Sequence, residues 1–319
     1  MIEERLGAVF AAAGAEGRLH AVDVDGPCPP EPMGRGGGAG AGRRQGPEAG
    51  SGRGYGVGLG ADDPVVIASV FKVLLVLEFA RQVSAGQLDP RERVRIRAEH
   101  RLGGWGTAGC ADDAELSLRD LAFFALSVSD NTAADLLMER VGLDTVRMLA
   151  AELGLAATRL TGGPRQVLEA MLAEVGARDE TEFAAVYPAL TAGQVGRLSV
   201  LDPARTNAST PRDITRLLRL IWCDLAGPAD ACAFVRDLMA RQVFRHRLVS
   251  GFPDEASVAA KTGTLPGLHI EAGVVTYPDG GRYAVAVFAR TPDLATSRTG
   301  TDAAIGRAAR IAVDHLRTV

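Results

Sequence analysis

The hydrophobic period of this chain changes twice, and the order of those changes restricts its fold more than any other feature. Near the start, LHAVDVDG (19–26) and YGVGLG (55–60) read as strands. From Ser69 to about residue 245 the apolar residues recur at helical spacing, beginning with SVFKVLLVLEFARQVSAG and its stop at Gly86. The period then returns to two: ASVAAKTGT, HIEAGVVTY and RYAVAVFAR read as strands, with Pro278-Asp-Gly-Gly281 as the hairpin turn between the last two. Amphipathic helices bracket the whole, carrying Ile2, Leu6, Val9, Phe10 and Ala13 at one end and Ile305, Ala308, Ile311, Ala312 and Leu316 (within 301–317) at the other. The expected fold class is therefore α+β: a five-stranded antiparallel sheet built from both ends of the chain, flanked by the N- and C-terminal helices, with an inserted all-helical lobe. Residues 1–60 and 246–319 would form the discontinuous α/β lobe and 61–245 the helical one, together a single domain. Residues 27–54, dominated by Gly, Pro and Arg, read as a flexible insertion. The seam between lobes is where a cleft should lie.

Composition removes several classes of function. Hydrophobic residues make up 47% and charged residues 23%, the balance of a soluble globular protein. A net charge of −4 provides no basic field for nucleic acid or an anionic membrane. The most apolar stretch, Val65 to Ala80, is broken by Lys72 and Glu78 and falls short of the ~20 residues of a membrane span. Glu3 and Glu4 stand where a secretory signal carries positive charge, so the expected compartment is the cytoplasm. Cys28, Cys110, Cys223 and Cys232 form no CxxC pair and read as reduced, mostly buried thiols; Cys223 and Cys232 would pair only in a secreted chain. The histidines at 20, 100, 246, 269 and 315 lack metal-ligand spacing, so neither a metal nor a cofactor is expected; His269 reads as a satisfied strand histidine. The glycines of 56–60 resemble a dinucleotide turn, but Asp62-Asp63-Pro64 stands where its helix would begin, and no P-loop occurs.

The basic residues carry the chemistry. Of 35, only Lys72 and Lys261 are lysine. Arginine does not deprotonate in proteins, whereas a desolvated lysine can serve as a base. Lys72 lies three residues after Ser69 at the start of an apolar helix, one turn away on the same face. A neutral lysine there can take the serine proton while the helix N-terminus favours developing negative charge. Ser129-Asp130-Asn131 interrupts two helices, so Ser129 and Asn131 can face a cleft while Asp130 anchors the turn. Lys261-Thr262-Gly263 lies on a strand, where glycine suggests close approach of a ligand to the backbone. The arginines at 241, 245 and 247 read as a solvated helix end that could also help receive a carboxylate.

Jointly these segments are SxxK, SDN and KTG, in that order, with the only two lysines at the two lysine positions. The chain resembles the class A β-lactamase branch of the penicillin-binding protein superfamily, through those motifs and through GGWG (103–106), VSDNTAADLL, ASTPRD (208–213) and KTGTLPG. The resemblance implies that Ser69 is the nucleophile of an acyl-enzyme and Lys72 its proton acceptor. It implies that Ser129 relays a proton to the leaving nitrogen and Asn131 holds Lys72 and a substrate amide. Lys261 and Thr262 would bind a substrate carboxylate, and the backbone amides of Ser69 and Thr264 would form an oxyanion hole. One element departs. The family carries a Glu-x-x-Leu-Asn loop whose glutamate activates the deacylating water, but the corresponding interval, 161–207, is enlarged here and reads as helices. Glu169-Ala-Met-Leu172 is followed by Ala173, so Glu169 belongs to an amphipathic helix rather than to a water.

The reading is a cytoplasmic serine hydrolase forming an acyl-enzyme with an amide, ester or β-lactam. Its partner would be a small acyl substrate carrying a carboxylate, with no nucleic acid and no membrane. The rivals are a transacylase, in which an amine resolves the acyl-enzyme, and a binding or sensing protein that acylates without turnover.

Overall fold

The computed structural model describes residues 1–26, 56–103, 105–292 and 297–318. The expected insertion at 27–54 and Cys28 lie outside them. The chain opens with helix α1 (Ile2–Ala12), strand β1 (Glu16–Asp23) and strand β2 (Gly56–Leu59). A short strand β3 (Val65–Val66) and a 3₁₀ turn (Ala68–Phe71) lead into α2 (Lys72–Ser84). Strands β4 (Arg93–Ile96) and β5 (Ala114–Ser117) form a small ribbon before α3 (Leu118–Ser127), α4 (Asn131–Val141) and α5 (Leu143–Glu152). After these come α6 (Pro164–Val175), α7 (Glu180–Val186), α8 (Ala192–Val195), strand β6 (Ala208–Ser209), α9 (Pro211–Trp222) and α10 (Ala229–Ala240). Strands β7 (Ser257–Leu265), β8 (Leu268–Thr276) and β9 (Arg282–Arg290) precede α11 (Thr299–Leu316).

The main sheet runs β2-β1-β9-β8-β7, every pair antiparallel, so β1 zips onto β9 from Glu16 opposite Arg290 to Asp23 opposite Tyr283. This is the five-stranded sheet drawn from both ends of the chain. Strands β8 and β9 are buried along nearly their whole length because both faces are covered. On one face Val285 and Val287 pack with Leu6 and Phe10 of α1 and Ile305, Ala308 and Ala312 of α11. On the other, Ala284, Ala286 and Phe288 join Ile270 and Ala272 in the larger core of the helical lobe. Helix α2 is central to that core: nine of its side chains, Lys72 among them, are buried. The short strands β3 to β6 carry too few residues to show a period, which is why the sequence does not announce them.

The 249–251 turn meets α11 through two glycines. A Cβ on Gly306 would come within 2.5 Å of the Arg247 carbonyl oxygen and 2.8 Å of the Gly251 nitrogen. Helix α11 can therefore lie directly on the turn that leads into β7. Replacing Gly306 with Val should cost about 1–3 kcal/mol through overpacking, read as a lower midpoint in urea unfolding; an unchanged midpoint would mean that the contact is not tight.

Candidate active site

The turn carrying Ser69 is fixed from both sides. β3 pairs with β6, and the Ile67 amide donates to the Asn207 carbonyl at 3.1 Å. Ala68 has φ +42° and Ser129 φ +61°, two of the three non-glycine residues with positive φ among the described residues; the third is Asp224. Such conformations cost of order 1–3 kcal/mol each and persist where surroundings over-determine them. Gly263 of β7 faces the same turn: a Cβ there would meet the Ile67 carbonyl oxygen at 3.1 Å and Ala68 Cβ at 3.2 Å. The sequence suggests a ligand approaching the backbone at Gly263; what the structure places against it is the turn that carries Ser69.

Lys72 is completely buried. Its Nζ donates to the Ser129 carbonyl at 2.8 Å and to Asn131 Oδ1 at 2.7 Å, with the Asp130 carbonyl at 3.3 Å and Ser129 Oγ at 3.5 Å. Burial lowers its pKa to about 7, against the upward pull of Asp130 and Asp135. Asp130 holds the turn that supplies these acceptors. Its carboxylate caps α4 by accepting from the Ala133 amide at 2.9 Å and takes the Thr107 amide at 2.6 Å. Gly106, at φ +65°, leaves room for that carboxylate, which lies 2.4 Å from where a Cβ would be.

Lys261 is also fully buried, its Nζ donating to the Thr262 carbonyl at 2.8 Å. Burial, and then the charge of Lys72, hold its pKa well below the ordinary value. Thr262 is buried, and its amide donates to Gln242 Oε1 at 2.6 Å. Gln242 in turn donates to Glu271 Oε1 at 2.7 Å, and Glu271 also accepts the Leu248 amide. Burial pushes the Glu271 carboxyl up from its usual range. Arg247, read from the sequence as solvated, is 3% exposed and bonds Asp302 Oδ1 at 2.6 Å and the carbonyls of Gly263 and Ile270 at 3.0 Å each. Its charge therefore braces β7 and β8 from behind. Arg241 pairs with Asp237, and Arg245 is exposed. His269 is a satisfied strand histidine, its Nδ1 3.0 Å from Asp302 Oδ1. Sequence reasoning misses Gln242, Glu271 and Asp302; a carboxylate within the apolar run HIEAGVV is the one available signal, since it must be paired if buried.

Ser69, Asn131 and Thr264 line one cavity of about 190 Å³ between the lobes. Its opposite wall comes from the enlarged 161–207 interval, through Pro164, Val167, Leu168 and Met171. Glu169 lies on α6, exposed, and is not among the lining side chains. Glu180 is the one carboxylate that does line the cavity, exposed at the start of α7 with the Gly103 amide donating to its Oε1 at 3.4 Å. Among the described residues Cys110 is an exposed free thiol, which corrects the expectation of burial, and Cys223 and Cys232 are likewise unpaired. No group of His, Cys, Asp and Glu able to hold a metal occurs among the described residues. No helix there is long and apolar enough to cross a membrane.

This fold is that of the class A β-lactamases. A β-lactamase from Sphaerobacter thermophilus superposes with a TM-score of 0.71 at 23% identity, covering 99% of this chain and 97% of that one. A class A β-lactamase from Mycobacterium abscessus gives 0.74 at 18% identity, covering 99% and 100%. The model of the β-lactamase enzyme family matches residues 49–316, and the chain belongs to that family. A curated relative, the β-lactamase regulatory protein BlaB of Streptomyces cacaoi, is 30% identical over 272 residues, 80% of this chain and 87% of its own.

Among the described residues Asp302 is the one carboxylate bonded to the buried Arg247. Burial raises its pKa, but the bonds from His269 and Arg247 outweigh that and hold it below 3.8. Asp302→Asn leaves the guanidinium uncompensated and should cost about 3–5 kcal/mol, measured by urea unfolding at neutral pH. A carboxyl with a depressed native pKa stabilises the fold above its ordinary value and loses that contribution as acid protonates it. The gap between the variant and the native protein should accordingly narrow below about pH 4, where the carboxylate is titrated.

Proposed function

We propose that the protein forms an acyl-enzyme on Ser69 with an amide, ester or β-lactam and releases the acyl group slowly. The observation that carries this reading is Lys72, fully buried, with a pKa of about 7 and its Nζ held among Ser129, Asp130 and Asn131. At neutral pH a large share of such lysines is neutral and can accept a proton. Ser69 Oγ attacks the acyl carbon as its proton passes to Lys72 Nζ, and the new Oγ–C bond turns the carbonyl oxygen into an oxyanion. The backbone amides of Ser69 and Thr264 receive that charge. The C–N or C–O bond then breaks, with Ser129 Oγ giving its proton to the leaving atom and regaining one from Lys72. Lys261 and Thr262 take a carboxylate on the substrate, whose charge favours the protonated form that burial disfavours in Lys261. The apolar α6 wall places no carboxylate where a buried water could be activated, which favours slow hydrolysis or resolution by an amine. The relative described as a β-lactamase regulatory protein supports the second reading, a sensor that acylates and is not turned over.

Incubation with benzylpenicillin, a cephalosporin and a nitrophenyl ester, followed by intact mass, should show a lasting adduct on the native protein and none on Ser69→Ala. Rapid loss of the adduct with product release would make the protein an efficient hydrolase; no adduct with any compound would overturn the acyl-serine reading. Because the neutral lysine is the base, the acylation rate should rise with pH through about 7 and level off once Lys72 is deprotonated. A flat rate between pH 6 and 8 would remove Lys72 from that role. Glu180→Gln should change the adduct lifetime by less than about threefold. A lengthening of about 10²-fold or more, the usual contribution of a general base, would assign the water-activating role to Glu180.

A further inference from the structure

The wall facing Ser69 is a small hydrophobic core in its own right. Met171 packs with Val66, Leu198, Val200, Leu201 and Leu268, and Val167 and Leu265 lean against that cluster. Four of these residues, Val66, Val167, Met171 and Leu265, also line the cavity with Ser69, joined by Pro164 and Leu168. The wall is held firmly in place. Arg165, at the start of α6, bonds Asp135 of α4 through its backbone amide at 3.2 Å and its Nε at 3.1 Å. Glu174, further along α6, accepts from the Ser199 amide at 2.7 Å and from Arg205 at 2.9 Å. Asn207, a polar residue lining the same cavity, is engaged. Its Oδ1 accepts from the Thr161 amide at 2.7 Å and the Gly162 amide at 3.3 Å, and its Nδ2 donates to the Gly162 carbonyl at 2.9 Å. Apart from the exposed Glu180 on α7, what the wall offers a substrate is therefore apolar surface, not hydrogen bonds.

We propose that the acyl group transferred to Ser69 is apolar, an aryl group or an alkyl chain, and that it lodges against α6 and Leu265 during acylation. The proposal rests on the acyl-serine reading given above and adds the class of acyl donor. The size agrees with it: an apolar cavity of about 150 Å³ accepts benzene, so about 190 Å³ holds a phenyl ring or a chain of about six carbons. A polar or charged acyl chain would lose its hydration against α6 and find no side-chain donor or acceptor among Pro164, Val167, Leu168 and Met171.

A series of p-nitrophenyl esters, from acetate through butyrate and hexanoate to decanoate, tests this on the full chain. In each reaction the bond from Ser69 Oγ to the acyl carbon forms and the bond to the nitrophenoxide oxygen breaks. The serine proton leaves through Lys72, and nitrophenol release reports the step. Rates are corrected with Ser69→Ala. Each buried methylene is worth up to about fourfold in rate, so the acylation rate should climb at least tenfold from acetate to hexanoate and level off by decanoate. Leu168→Asp should collapse the hexanoate-to-acetate ratio, and Val167→Ser, a milder change, should lower it in the same direction; thermal unfolding checks that each variant is folded. Ser69-dependent release that is indifferent to chain length would overturn the apolar acyl site and leave the acyl-serine reading standing. Absence of Ser69-dependent release with every ester would overturn both.

Discussion

A single buried lysine organises the helical lobe of this molecule. Lys72 has no exposure to water, so every proton on its Nζ needs an acceptor from the protein. The acceptors come from one turn, residues 129–131, nearly sixty positions further along the chain. To present them, Ser129 adopts a left-handed backbone and Asp130 is tied both to the start of α4 and to the Thr107 amide. Helix α2, the α3–α4 break and the loop before β5 are thus tied to one polar centre. An arginine could satisfy such acceptors but could not release a proton. Elsewhere the chain uses arginine freely in ion pairs with Asp and Glu, many of them at the surface, where a permanent charge carries little desolvation cost.

A second polar centre stands behind the opposite wall. The chain from Gln242 through the Thr262 amide, Glu271 and Leu248, and the brace of Arg247 with Asp302 and His269, fix β7 through buried bonds. Buried networks of this kind are favourable when each member is satisfied and costly when one is removed. The cleft therefore lies between two rigid polar assemblies, while its third side, α6, is held by packing and by two anchoring ion pairs.

The fold was legible because its signals are local and periodic. The five main strands, the buried helix after Ser69 and the Pro278-Asp-Gly-Gly281 hairpin all follow from spacing within one segment. The juxtaposition of Ser69, Asn131 and Thr264 in one cavity was legible through motif order and the scarcity of lysine. What escaped depends on contacts between distant segments. Arg247 looks solvated until α11 brings Asp302 against it, and Gln242 has no meaning until β7 runs beside it. The packing of Gly263 against Ile67 and Ala68 is equally invisible, because nothing in the sequence shows that turn approaching β7. Glu180 lies in a segment without a matching motif, and only the folded chain brings it to the mouth of the cavity.

The route of the chain through the sheet also sets a timetable. β1 is synthesised well before the strand it pairs with inside the sheet, β9, which lies more than 250 residues later. Lys72 can meet residues 129–131 while the ribosome is still adding the rest, but the edge strand with Lys261, Thr262 and Thr264 has no sheet to join until β8 and β9 follow it. Translation proceeds at about 5–20 residues per second, so the nascent chain carries Ser69 and Lys72 for several seconds without the strand that supplies Thr264 to the cavity. The cavity is thereby one of the last features of the fold to form.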